Sequence, residues 1–95
     1  MKNPWIARRL VVEGRVQGVS YRDWAVETAN GFGLHGWVRN RSDGSVELLL
    51  AGPTREVSAM VEACRRGSAF ARVDRLVTKP AEIPTACGFA RLPDA

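Results

Sequence analysis

Histidine, tyrosine and cysteine are scarce in this chain, with one, one and two copies among 95 residues. A lone His35 cannot build a histidine metal cage, and no Ser/His/Asp arrangement or metal-ligand cluster accompanies it. Cys64 and Cys87 have no second cysteine at metal-ligand or redox-motif spacing. Cys64 falls on an apolar helical stripe and is expected as a buried free thiol. A Cys64–Cys87 bridge is allowed by the count but required by nothing. No apolar run approaches the roughly 20 residues that span a membrane. The start, Met1-Lys2-Asn3-Pro4-Trp5, lacks an apolar signal core, so a cytoplasmic protein without a membrane partner is expected. Like-charge blocks, tandem repeats and low-complexity tracts are also missing. That argues against a dedicated nucleic-acid tail.

What is present suits one small domain, residues 1–95, with a single two-layer core. The chain is 45% hydrophobic and 25% charged, with a net charge of +4, and 12 of its 14 basic residues are arginine. That balance favours an anionic ligand, although most individual arginines read as solvated surface. Hydrophobic periodicity predicts strands at Ala7–Glu13, Gly36–Arg41, Val46–Ala51 and Ala71–Thr78, and a short last strand around Gly88–Leu92. Helices are predicted at Tyr21–Phe32 and from an N-cap at Thr54 to about Arg66. Gly33 is expected to supply a left-handed cap, Gly52-Pro53 to end the third strand, and Pro80 to stop the fourth. The order β-α-β-β-α-β predicts an α+β two-layer sandwich, an antiparallel sheet with both helices on one face. Val11, Trp37 and Leu49 are expected on the other face, partly exposed.

Chemistry concentrates in Gly14-Arg15-Val16-Gln17-Gly18-Val19-Ser20-Tyr21-Arg22. The segment follows a strand and opens a helix. Its glycines permit a tight turn and close approach to a bound group. The helix start presents unpaired N–H groups and a positive dipole end. Arg22 adds a planar, permanently charged fork. Together these make an anion cradle. Further on, Asn40-Arg41-Ser42-Asp43-Gly44 carries hairpin-turn chemistry. Asp43-Gly44 is expected to hold Asn40 in place.

Gly14-x-Val16-Gln17-Gly18-Val19-x-Tyr21-Arg22 resembles the first signature of the acylphosphatases. Gly33-Leu34-x-Gly36-Trp37-Val38-x-Asn40-x-x-Asp43-Gly44-x-Val46-Glu47 resembles the second, in matching order and spacing. The resemblance implies a ferredoxin-like fold and hydrolysis of small acyl phosphates to a carboxylate and inorganic phosphate, without metal or cofactor. It implies that Gln17, Gly18, Val19, Ser20, Tyr21 and Arg22 hold the phosphate, and that Arg22 and Asn40 are catalytic. A carboxyl phosphate already has a good leaving group, so positioning and charge neutralisation suffice. The Asn40 amide can orient water but cannot act as a strong base at neutral pH. The Gln17 side chain is expected to brace the loop, and the Ser20 hydroxyl and His35 to stand outside catalysis. Tyr21, Trp37 and Met60 are expected as packing groups. In isolation, Arg22 beside Asp23 also reads as a local ion pair. Gly67-Ser68, where the family often has Gly-Pro, and the tail Cys87–Leu92 depart from the pattern. Both concern C-terminal packing rather than the site.

Two other functions compete. One is a non-catalytic phosphate- or carbamoyl-phosphate-binding module, as in larger carbamoyl-transfer proteins. The other is RNA binding on the same general fold, which needs exposed aromatics on the two central strands; no such pattern is present. A monomer with no nucleic-acid partner is expected.

Overall fold

Alternating side chains along five segments build one sheet in the computed structural model, which describes residues 4–95. Met1–Asn3, part of the stretch inspected for a signal core, lie outside the described residues. The elements are β1 (Trp5–Arg15), α1 (Tyr21–Gly31), β2 (His35–Asn40), β3 (Val46–Pro53), α2 (Thr54–Arg66), β4 (Arg72–Pro80) and β5 (Phe89–Arg91). In space the strands run β4-β1-β3-β2-β5. The first four pair antiparallel. β5 does not follow the antiparallel expectation: it pairs parallel to β2, with Val38 opposite Arg91. β4 and β2 run in opposite directions, so a chain that reverses after β4 arrives running with β2. The sheet is therefore mixed.

The core lies between the sheet and the two helices. Leu10, Val12, Val38, Leu48 and Leu50 rise from the strands to meet Tyr21, Ala25 and Ala29 of α1 and Val57, Met60 and Cys64 of α2. The four-residue spacing on α1 gives it a single buried stripe. After the α1 C-cap at Phe32, Gly33 takes φ 69°, the left-handed turn expected there.

Several boundaries move by one or two residues from expectation, and two of these shifts fall at prolines. β3 continues through Gly52-Pro53, where Pro53 faces Trp5 of β1. A proline at a strand end removes no ladder bond that the sheet needs. Pro53 is then the N-cap residue of α2 and makes no side-chain cap bond. Thr54, expected as the cap, is inside the helix, and its hydroxyl donates to the Pro4 carbonyl at 3.0 Å. β4, an outer strand of the sheet, likewise includes Pro80, opposite Arg8 of β1.

On the face away from the helices, Val11, Trp37 and Leu49 are half-buried. Glu47 is buried there between Arg9 and Arg39, the latter bonding at 2.8 Å. The Arg39 guanidinium also lies 4.9 Å from the Trp37 ring centroid.

Candidate active site

The chain leaves β1 at Arg15 and reaches α1 through Val16–Ser20. Gly18 has φ 72°, and Ser20, the N-cap of α1, has φ 61° and ψ 24°. A left-handed conformation at a serine costs on the order of 1 kcal/mol, and such strain concentrates at functional loops. Ser20 gives no side-chain cap bond. Its carbonyl accepts from Trp24 N–H at 3.0 Å, which starts the helical ladder. The amides of Tyr21, Arg22 and Asp23 therefore precede the first helical bond and point out of the helix start. The Arg22 guanidinium, 22% exposed, leaves the same turn.

The second half of the site is the β2–β3 hairpin. Asn40 ends β2 and is buried, and its Oδ1 has no hydrogen-bond partner within the described protein. Buried polar atoms are rarely left so. Asp43 shapes the turn: its Oδ1 accepts from Ser45 N–H at 3.0 Å and Ser45 Oγ at 2.5 Å. The Ser45 hydroxyl bond, then its amide, holds the Asp43 carboxyl below its ordinary range. Gln17 fastens the two halves together. Its Nε2 donates to the carbonyls of Arg41 and Ser45, each at 2.9 Å. Its side chain is thus committed to bracing the loop against the hairpin.

The C-terminal tail, which the motifs do not include, closes the arrangement. Asp94 Oδ1 accepts from Arg22 Nη1 at 2.9 Å, and Ala95 N–H donates to the Asn40 carbonyl at 2.9 Å. Arg22 therefore bonds the tail and not its neighbour Asp23, which instead accepts from Arg91 Nη1 at 2.6 Å. A surface cavity of about 280 Å³ lies over the helix start, lined by Gly18, Ser20, Arg22, Asp23 and Arg91 among others. Arg91 and Asp94 are the residues that sequence reasoning missed. The only local signal of Arg91 is its place at the end of a weak strand pattern, and Asp94, beyond that strand, has none.

Tyr21, Cys64 and His35 make polar contacts of their own. Tyr21 is buried, and its Oη donates to the Cys64 carbonyl at 2.9 Å. Burial first, and then the neighbouring Cys64, raise its phenol far above the ordinary range. The Cys64 thiol is pushed up to about 12 by burial. His35 stacks on Trp5 with ring centroids 5.2 Å apart, and its Nδ1 accepts from Gly88 N–H at 2.7 Å.

A two-layer α+β sandwich with an arginine and helix-start amides around a polar cavity defines a class of site suited to an anionic ligand. The acylphosphatase family model matches residues 8–90. An acylphosphatase of Rhodospirillum rubrum is 55% identical over 86% of this chain and 90% of its own length. The crystal structure of acylphosphatase from Bacillus subtilis superposes with a TM-score of 0.88 at 35% identity, covering 92% of this chain and 98% of that one. T. kodakarensis HypF contains a similar unit, with a TM-score of 0.79 at 27% identity, covering 92% of this chain but 12% of HypF. The chain belongs to the acylphosphatase family, hydrolases that split the acid anhydride bond of acyl phosphates.

Proposed function

We propose that catalysis is divided between the Gln17–Arg22 loop, which holds the phosphoryl group, and Asn40, which orients the attacking water. The buried, unpartnered Asn40 Oδ1 carries this reading, because Gln17 ties the hairpin that bears it to the phosphate-holding loop. In this scheme the loop amides and the Arg22 guanidinium neutralise charge growing on the equatorial oxygens. The water oxygen bonds to phosphorus in line with the acyl oxygen. The P–O bond to the acyl group breaks, and the carboxylate leaves with the electron pair. A phosphate oxygen takes the water's proton. Asp94 yields Arg22 to the substrate, since this pair is 64% exposed on the aspartate side and exposed pairs are weak.

In this scheme the loop amides and Arg22 supply the charge neutralisation that a metal ion would otherwise bring, so the reading uses none. It extends to a cytoplasmic monomer. Both thiols are free, and Cys87 is exposed, which suits a reducing compartment. The large exposed apolar side chains Trp5, Phe70 and Ile83 are few.

The test is hydrolysis of acetyl phosphate in excess chelator. Wild type is expected to turn over at an undiminished rate while leaving a simple phosphate ester nearly untouched. Arg22→Gln and Asn40→Ala are each expected to lose about 100-fold or more in kcat/KM with unchanged circular dichroism. Near-normal turnover in both variants refutes the residue roles, and loss of activity with chelator refutes the metal-free scheme.

A further inference from the structure

We propose that Arg91, paired with Asp23, is the residue that selects the acyl group, and that it favours acyl phosphates whose acyl chain ends in a second carboxylate. This inference rests on the catalytic reading above and concerns the same cavity. Apart from Arg91, the described residues that line the cavity come from the Val16–Asp23 segment, so Arg91 is the lining residue that a separate element brings in. It arrives there through the parallel pairing of β5 with β2, opposite Val38 and two residues before Asn40.

The strand pattern makes the arginine unexpected. Phe89 and Arg91 lie two residues apart and share one face of β5. Phe89 is 7% exposed and belongs to the core. A charged fork at the next position on that face, reaching over the first turn of α1, is a strong departure from the apolar pattern. Its guanidinium has five donors, and one, on Nη1, is engaged by Asp23 at 2.6 Å. The pair is 46% exposed at Arg91 and 66% at Asp23, so it biases the fork only weakly and leaves donors for a second anion. The phosphoryl group is already served by the loop amides and Arg22, so this second cation exceeds what the phosphate end requires.

The rest of the lining points the same way. Val16 and Tyr21 are its large apolar members, and each is 1% exposed. They give an aliphatic or aromatic acyl tail almost nothing to pack against. Recognition of the acyl group therefore falls to charge, and Arg91 matches a carboxylate in a planar, two-bond geometry.

The experiment compares kcat/KM for succinyl phosphate, which carries a free carboxylate, with acetyl phosphate, which does not. Wild type, Arg91→Gln and Arg91→Glu are measured at low and high salt. The succinyl-to-acetyl ratio is expected to be about five in wild type at low salt and to shrink as salt screens the half-exposed arginine. It is expected to fall to about one in Arg91→Gln and below one in Arg91→Glu. A flat wild-type ratio with good turnover, or a ratio that survives in Arg91→Gln, overturns the acyl-end assignment alone. An equal loss on both substrates overturns it too, since Arg91 then serves the phosphate or the fold. Failure of wild type to split either substrate overturns the catalytic reading and this inference with it.

Discussion

Glu47 lies on β3 with 2% of its surface exposed, a place where an isolated carboxylate would take up a proton. Arg39 from β2 and Arg9 from β1 meet it, one on each carboxylate oxygen. Burial raises the proton affinity of Glu47, but the Arg39 and Arg9 bonds outweigh it and hold the carboxyl below its ordinary range. The folded state therefore binds this proton less readily than the unfolded chain. The stability it confers is complete above the unfolded glutamate value of about 4.3. It is lost as pH falls through the lower, folded value. Glu47→Gln is expected to flatten this acid limb and to reduce stability at pH 7 by about 1–2 kcal/mol. The loss stays modest because the Arg9 and Arg39 side chains, 40% and 35% exposed, can rehydrate. Urea unfolding from pH 3 to 7 checks this, and parallel curves for the two proteins would rule the linkage out.

At the scale of elements, the β2–β3 hairpin does most to position the site, and Gly36 is its least replaceable backbone position. Gly36 has φ 132°, and a Cβ there would stand 1.8 Å from the Leu49 carbonyl oxygen on the neighbouring strand. That oxygen belongs to the paired backbone and cannot swing aside. Gly36→Ala is expected to cost about 3 kcal/mol and to lower turnover by displacing Asn40, as urea unfolding and acetyl phosphate hydrolysis would show. The same hairpin explains what was legible in the sequence. Asp43-Gly44 and the glycine-flanked turn before Arg22 act over a few residues, so their chemistry is written locally. The partners of Arg22 and Asp23 are not, because Asp94 and Arg91 lie 72 and 68 positions away. Their arrival depends on β5, a three-residue strand whose pattern is too short to fix its place or direction. β3 and β4 do end at Pro53 and Pro80, as expected, but each strand includes its proline. A proline forbids a donor within a ladder, yet at a strand end no donor is required.

In the proposed scheme, the stability of the whole molecule is coupled to the anion in the cradle. The loop and the hairpin are joined by Gln17, and helix α1 and the tail by Arg22–Asp94 and Asp23–Arg91. A phosphate in the cradle binds groups that converge only in the folded chain, so it must shift the unfolding equilibrium by mass action. Inorganic phosphate, a product of acyl phosphate hydrolysis, serves as the probe and needs no turnover. At ten times its dissociation constant it adds about 1.4 kcal/mol. In a domain of this size that raises the unfolding midpoint by roughly 5–10 °C. Arg22→Gln is expected to lose most of this shift, because the remaining amides hold the dianion without a compensating full charge. Asn40→Ala is expected to keep most of it, because in the proposed division Asn40 serves the water rather than the phosphate. Thermal unfolding of the three proteins against chloride at matched ionic strength separates these roles. Equal shifts in all three would place phosphate elsewhere on the arginine-rich surface. Equal loss in both variants would make Asn40 a part of the phosphate cradle and remove the division of labour proposed for the site.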